Sequence, residues 1–203
     1  MDDEKVYDVV IPTLKPLSEV EPLIVELIRT AGILIRVHAT CNDVSAAKNR
    51  NAGLDKCTSD IVWEIDDDMC GFPHGWALRM LHVMESNPKC AMCSPRLMRP
   101  DGGFGIMVGN PHNDTDGLKV IAQRELPTSC IAHHNTDVRF HEGYIGSTLE
   151  GNDFCRQLFE KFKYAEFICI NDLLLVKTGE PEQTSGPNYD NDAATFHRRW
   201  RSK

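Results

Sequence analysis

The sequence predicts an α/β protein with a mostly parallel central sheet flanked by helices and a Rossmann-like N-terminal half. Short runs rich in Val and Ile alternate with segments of helical periodicity through the first half, as in parallel sheets covered by helices. The 203 residues, of which 41% are hydrophobic, suffice for one domain with a substantial core. We therefore expect a single domain over 1–203.

The first half contains most of the clear start and stop signals. Ser18 and Glu21 form a predicted capping box, Gly32 is placed to end that helix, and Pro73 opens a later one. Asn42, Asp43 or Ser45 is expected to cap a helix that ends at Leu54. The predicted strands are Val6–Thr13, Ile33–Ala39, Ile61–Ile65 and Ala91–Ser94.

The second half is less regular. Met98–Thr128 is rich in Gly, Pro, Asn and Asp and receives no assignment. Asp153–Lys163 predicts a helix, Ile168–Val176 a strand, and Thr178–Asp190 a loop. Asp192–Arg201 predicts a short amphipathic helix, with Phe196 and Trp200 one turn apart.

Charge and hydropathy exclude several function classes. The formal net charge is −8 and the pI about 5.4, which disfavours nonspecific nucleic-acid binding. Basic residues cluster only at the C-terminus, where a helix end explains them: Arg198, Arg199, Arg201 and Lys203. No apolar run reaches the roughly 18 residues that span a bilayer, and the acidic N-terminus lacks a signal-peptide pattern. We expect a cytoplasmic protein without a membrane span.

The most informative segment is Ile61–Met69, where an apolar run ends in Asp66, Asp67 and Asp68. Three adjacent carboxylates repel one another unless a cation lies among them. Alternation along an extended segment places Asp66 and Asp68 on one face. Oxygen ligands at a strand end suit a hard divalent cation, although a solvated acidic turn has the same pattern.

Four segments, in this order, resemble family 2 glycosyltransferases of the GT-A fold. Val9–Thr13 is similar to the opening strand, and Arg50–Leu54 to the Arg-Asn-x-Gly segment. Asp60–Asp68 resembles the strand that ends in Asp-x-Asp, and Glu150–Arg156 the acidic segment that carries the catalytic base. Asn191–Trp200 is a looser match to a C-terminal Phe-x-x-[Lys/Arg]-Trp pattern.

The resemblance implies a metal-dependent, inverting transfer of a hexosyl or related glycosyl group from a nucleotide-diphosphate sugar to an acceptor hydroxyl. Mn²⁺ or Mg²⁺ would be bound by Asp68 as principal ligand and by Asp66, and would stabilise the departing diphosphate. The donor is expected to be a UDP-sugar and the acceptor a glycan or another hydroxyl compound. The implied donor-binding residues are Thr13, Asn42, Asp43, Arg50, Asp66 and Asp67.

The same resemblance divides the domain into a nucleotide-sugar-binding half, 1–97, and an acceptor-binding and catalytic-base half, 98–203. Asp153 is the expected general base, Glu150 is in reserve, and Asn152 is a candidate helix cap. From the residues alone, Asp153 has an alternative role as a plain N-cap. We expect Asp68→Ala and Asp153→Ala each to abolish transfer and to leave the fold intact.

Three departures from the family pattern keep alternatives open. Only Thr40–Asn49 separates the second strand from Arg50, Asn152 replaces the usual Glu, and no His follows the last strand, where Lys177 stands. A catalytically degenerate nucleotide-sugar-binding domain is therefore one alternative. A sugar-phosphate nucleotidyltransferase is another, and a nucleic-acid acceptor is disfavoured by charge. His133, His134 and His141 are expected in acceptor-side loops or without a role.

Overall fold

The structure, a computed structural model, describes residues 5–41, 45–103, 117–120, 126–145, 149–163, 165–179 and 187–200. Two predicted donor-binding residues, Asn42 and Asp43, lie outside these ranges. The strands are β1 Tyr7–Pro12, β2 Ile35–Thr40, β3 Ile61–Ile65, β4 Met69–Cys70, β5 Cys90–Met98, β6 Leu118–Val120, β7 Cys130–His134 and β8 Glu166–Lys177. The helices are α1 Leu17–Thr30, α2 Ala46–Leu54, α3 Trp76–Ser86, α4 Glu150–Lys161 and α5 Pro187–Trp200. None of these helices combines the length and apolarity needed to cross a bilayer.

The strands form one sheet in the order β2-β1-β3-β7-β5-β8-β4, with β6 paired to β8. β1, β2, β3, β5 and β8 run in one direction, whereas β4, β6 and β7 run against them. The predicted α/β class with a mostly parallel sheet is thus confirmed. The carboxyl ends of β1 and β3 share one edge, which brings Thr13 close to the aspartates after Ile65.

Alternation along β3 sends its side chains to two different cores. Trp63 faces the layer of α1 and α3, where it packs edge-on against Trp76. Val62 faces the other layer, which includes Leu54 of α2 and Phe154 of α4. Glu64 is fully buried. A buried carboxylate in a central strand requires charged or hydrogen-bonding partners, and these lie in the candidate site.

Three predicted helix starts are wrong. Ser18 lies inside α1, which begins directly after Pro16 without a side-chain hydrogen bond at its cap. Asn152 lies inside α4, whose N-cap is Leu149. The last helix was predicted to begin at Asp192, but α5 begins at Pro187, inside the predicted loop Thr178–Asp190. Proline is favoured at a first helical position because the N–H that it lacks would have no partner within the helix. Ser45 does cap α2, accepting a hydrogen bond from the backbone N–H of Lys48 at 3.4 Å.

β7 was not predicted, and it carries two of the histidines that were expected in loops. It pairs antiparallel with β3, so that His133 lies opposite Val62 and His134 opposite Ile61. Its five residues end in two histidines, which broke the apolar pattern that marks a buried strand. His133 is nonetheless buried, because Glu64 bonds its ring.

Asp153 attaches α5 to the rest of the domain. Its carboxylate is fully buried and accepts hydrogen bonds from the indole N–H of Trp200 at 2.6 Å and from Nε of Arg199 at 2.8 Å. Gln157 of the same helix donates to it at 2.7 Å. Asp192 adds a second attachment by accepting the backbone N–H of Ile145 at 2.7 Å.

We predict that Asp153→Asn lowers the free energy of unfolding by about 2–3 kcal/mol, because it weakens the charge-assisted hydrogen bonds that the buried carboxylate accepts from Arg199 and Trp200. Urea denaturation followed by circular dichroism would measure this. The matched control is Asp172→Asn. Asp172 is 46% exposed, and this change removes its ion pair with Arg79. That change should cost no more than about 1 kcal/mol. Equal stabilities of the two variants would contradict a structural role for Asp153.

Candidate active site

Asp66 is held by two cations at the end of β3. Oδ1 accepts a hydrogen bond from Nη2 of Arg50 at 2.5 Å, and Oδ2 accepts one from Nζ of Lys177 at 3.1 Å. Although burial opposes ionisation, Arg50 and Lys177 hold the pKa of Asp66 below its usual value. Both oxygens of Asp66 are therefore engaged within the protein.

Asp68 differs from Asp66 because one of its oxygens is buried and has no hydrogen-bond partner in the described part of the chain. This atom is Oδ1, whereas Oδ2 lies 3.8 Å from Nζ of Lys177. Burial raises the pKa of Asp68, and the charges of Asp66 and Asp67 add to this effect against that of Lys177. The single ammonium of Lys177 thus does not offset the effect of burial and of the neighbouring carboxylates on Asp68.

The backbone around Asp68 is fixed by the end of β8. Both the backbone N–H and the hydroxyl of Thr178 donate to the carbonyl oxygen of Asp68, each at 2.8 Å. A Cβ added to Gly179 would lie 1.8 Å from Oδ2 of Asp68. Glycine is therefore required for the chain to pass so close to the carboxylate.

Asp67 points to a different set of partners from Asp66 and Asp68, although the three aspartates lie where the chain turns after β3 rather than in an extended segment. It accepts a hydrogen bond from the hydroxyl of Thr13 at 2.5 Å and from Nζ of Lys15 at 3.0 Å. Thr13, which is buried, and Asp67 thus lie together at the edge shared by β1 and β3. The structure brings these two predicted donor-binding residues into contact.

Arg50 is the central cation of the site. Its guanidinium is buried and lies 3.3 Å from Glu64 and 3.4 Å from Glu150, besides its contact with Asp66. Despite its burial, these three carboxylates raise the pKa of Arg50, which therefore stays charged. Oε1 of Glu64 also shares a hydrogen bond with Nε2 of His133 at 2.9 Å.

Glu150, rather than Asp153, is the residue of α4 that joins this cluster. Burial raises the pKa of Glu150 to about 7, with Asp66 and Glu64 adding to the effect and Arg50 opposing it. A Cβ on Gly151 would lie 2.7 Å from the hydroxyl oxygen of Thr128, so glycine permits α4 to approach this segment closely. Asp153, one turn further along, is bound instead by Arg199 and Trp200.

The residues present fit a divalent cation at Asp68. Its unpaired, buried oxygen is a hard ligand that needs a positive partner, whereas the oxygens of Asp66 are already bonded to Arg50 and Lys177. One protein carboxylate, completed by water and phosphate oxygens, is a common arrangement for Mg²⁺ at phosphate-binding sites.

Another group of metal-ligand types lies at the opposite end of the strands. Ligand atoms of Asp8, His38 and Cys57 are within 4.8 Å of one another. Oδ1 of Asp8 is bonded by Arg36 and His38, at 2.7 and 2.8 Å, and Oδ2 accepts the backbone N–H groups of Thr58 and Ser59. Burial raises the pKa of Cys57 to about 12, which keeps the thiol protonated. These residues form a hydrogen-bonded attachment between strands rather than a free ligand set.

A polar cavity of about 480 Å³ lies beside the attachment of α5. Gln157 and Arg199, which both bond Asp153, contribute to its lining. Other lining residues include Asn51, Arg139, His141 and Glu142. His141 lines this cavity, whereas His133 is buried beside Glu64 and His134 contacts the carbonyl oxygen of Cys90.

Sequence reasoning missed two residues that complete the site. Glu64 was read only as part of a strand, although a lone Glu inside an apolar run signals a buried ionic partner. The hydroxyl oxygen of Ser129 accepts a hydrogen bond from Nζ of Lys177 at 2.7 Å. Ser129 stands just before the unpredicted strand β7, and no sequence pattern marked it as a site residue. The remaining predicted site residues lie in or beside the cluster, except for Asp153 and the residues outside the described ranges.

Comparisons with known proteins agree with this architecture. The profile of the family described as glycosyl transferase family 2 matches residues 21–139. A search of curated protein sequences found no significant match.

Solved structures of S. aureus TarS resemble the chain in fold. TarS residues 1–349 gives a TM-score of 0.58 at 14% identity, covering 86% of this chain and 60% of that one. The same TarS segment in complex with UDP-GlcNAc gives 0.60 at 13% identity, with coverage of 96% and 66%. A third structure, described as TarS, gives 0.58 at 14% identity, with coverage of 87% and 37%. The chain thus spans two thirds or less of these neighbours.

Identities this low show a common fold and nothing finer. The family profile, however, covers more than half of the chain's 203 residues, including the Arg50 segment and the three aspartates after β3. The chain belongs to glycosyl transferase family 2.

Proposed function

We propose that the protein is an inverting glycosyltransferase that moves a sugar from a nucleoside-diphosphate donor to an acceptor hydroxyl, with a divalent cation bound at Asp68. The observation that carries the proposal is the contrast between two neighbouring carboxylates. Asp66 is paired through both oxygens, whereas Asp68 keeps a buried oxygen without a partner. Family membership and the TarS complex with UDP-GlcNAc support a UDP-sugar as donor.

The reaction has two demands: the negative charge of the departing diphosphate must be stabilised, and the acceptor hydroxyl must lose its proton. The chain's own residues would serve both. A cation such as Mn²⁺ or Mg²⁺, when bound, supplies Lewis-acid stabilisation of the departing diphosphate. Lys177 adds a fixed positive charge beside it, and Arg50 keeps Asp66 ionised and in place. Thr13 and Asp67 offer polar contacts to the nucleoside at the shared strand edge.

For the base, we propose Glu150 as the residue that accepts the acceptor's proton. It contacts Arg50 within the same ionic cluster as Asp66, and its pKa of about 7 suits a base that operates near neutrality. Asp153, the residue expected from the sequence, accepts hydrogen bonds from Arg199, Trp200 and Gln157. Both oxygens of Asp153 are therefore engaged by donors within the protein. The assignment of Asp153 stays a prediction that the Glu150 variant below tests.

The proposal leaves the acceptor as a hydroxyl compound, glycan or otherwise. The polar cavity beside Arg199 and Gln157 has the hydrogen-bonding groups that a sugar would use. A single base that activates the acceptor opposite the leaving group implies direct displacement and inversion at the anomeric carbon.

A thermal-shift screen of nucleotide sugars, with and without Mn²⁺, tests donor binding. A ligand that binds only the folded protein must raise the melting temperature by mass action. We expect a UDP-sugar to stabilise the protein only when Mn²⁺ is present, and a slow release of UDP to follow. Binding without release would favour the degenerate binding domain, and pyrophosphate release from a nucleoside triphosphate would favour the nucleotidyltransferase.

We predict that Asp68→Asn reduces transfer at least about 100-fold, because removing one group that stabilises developing charge costs that much or more. UDP release from the best donor of the screen would measure the loss. Asp172→Asn, at the exposed ion pair with Arg79, should keep full activity. Transfer at the wild-type rate by Asp68→Asn would refute the proposed metal ligand.

We predict that Glu150→Gln lowers kcat by about 10²–10⁴-fold, the usual contribution of a general base. In the wild type, kcat/KM should rise with pH and level off above about 7, because only the ionised carboxylate accepts a proton. The residual activity of Glu150→Gln should lose that inflection. If this variant keeps full activity and the same profile, the base is not Glu150, and Asp153 regains the role.

A further inference from the structure

Lys177 occupies the place between two carboxylates where a cation is expected. Its Nζ lies 3.1 Å from Oδ2 of Asp66 and 3.8 Å from Oδ2 of Asp68. The hydroxyl oxygen of Ser129 holds the same ammonium at 2.7 Å. Lys177 therefore neutralises part of the negative charge on which a metal ion would depend.

The position of this ammonium is set by the sheet. Lys177 is the last residue of β8 and lies opposite Met69 in the antiparallel pairing with β4. Thr178, the next residue, binds the carbonyl oxygen of Asp68 through both its N–H and its hydroxyl. The base of the lysine side chain and the backbone of Asp68 are thus fixed to each other.

A divalent ion on Oδ1 of Asp68 would share that carboxylate with the ammonium on the other side. Two positive charges that share one carboxylate repel each other, because the effective dielectric constant near a protein surface screens charges less than bulk water does. The diphosphate of a donor adds negative charge that offsets this repulsion. Metal and diphosphate should therefore favour each other's binding.

We propose that Lys177 is a built-in counter-ion that keeps the site from binding free divalent metal tightly, so that the metal enters with the nucleoside diphosphate. This inference rests on the proposed function. It assigns Lys177 a positioning role in donor and metal binding. The ammonium of Lys177 would also contribute positive charge that attracts the diphosphate of a bound donor.

The test is a titration of the purified protein with Mn²⁺ alone, followed by the electron paramagnetic resonance signal of free Mn²⁺. We expect Lys177→Met to bind Mn²⁺ at least about tenfold more tightly than the wild type, since tenfold corresponds to about 1.4 kcal/mol. Lys177→Arg, which keeps the charge, should stay close to the wild type. Lys15→Met removes a lysine that pairs with Asp67 instead, and its affinity should change much less.

A second titration with UDP present completes the test. In the wild type, UDP should raise the affinity for Mn²⁺ strongly, and in Lys177→Met this gain should shrink. Melting curves of each variant show whether the fold is kept, and Lys177→Arg provides the comparison if Lys177→Met is destabilised.

The outcomes separate the two proposals. Unchanged or weaker binding of Mn²⁺ alone by Lys177→Met, with tight binding of Mn²⁺ and UDP together in the wild type, would overturn the role of Lys177 and leave the proposed function standing. Absence of Mn²⁺ binding in every variant, with and without UDP, would overturn both.

Discussion

The arrangement of the site depends on one buried guanidinium. Arg50 reaches from α2 to Glu64 on β3, to Asp66 just after that strand, and to Glu150 at the start of α4. A buried cation is tolerated only when it is paired on several sides, and buried carboxylates have the same requirement. The ionic contacts therefore fix the positions of two helices relative to the strand that carries the aspartates. Any change that removed Arg50 would leave three carboxylates to repel one another.

Much of the first half was predictable because its signals are local. β3 was predicted at its observed bounds, and Asp67 was expected to face away from Asp66 and Asp68. Local patterns also showed which strand ends would carry polar groups. These features follow from side-chain periodicity and need no knowledge of distant partners.

The rest of the site depends on contacts between residues far apart in the chain. Glu150 and Asp153 stand three residues apart on one helix, and the sequence alone gave no means of choosing between them. Their partners distinguish them and lie far away in the chain, since Arg50 precedes Glu150 by 100 positions and Arg199 follows Asp153 by 46. Likewise, Lys177 acquires its role through the pairing of β8 with β4. Propensity and spacing carry no information about such pairings.

Charge balance links the unpaired oxygen of Asp68 to the chemistry. Among the residues that the structure describes, five carboxylates converge here, together with three cations and one imidazole: Glu64, Asp66, Asp67, Asp68 and Glu150 with Arg50, Lys15, Lys177 and His133. Protonation of Glu150, favoured by its raised pKa, removes part of this negative charge, and within the described ranges Asp68 keeps a buried oxygen without a hydrogen-bond partner. A diphosphate that entered alone would add negative charge to a site that already has an excess. Under the proposed function, a cation that arrived with the donor would offset this charge, and Asp68 offers that cation a ligand.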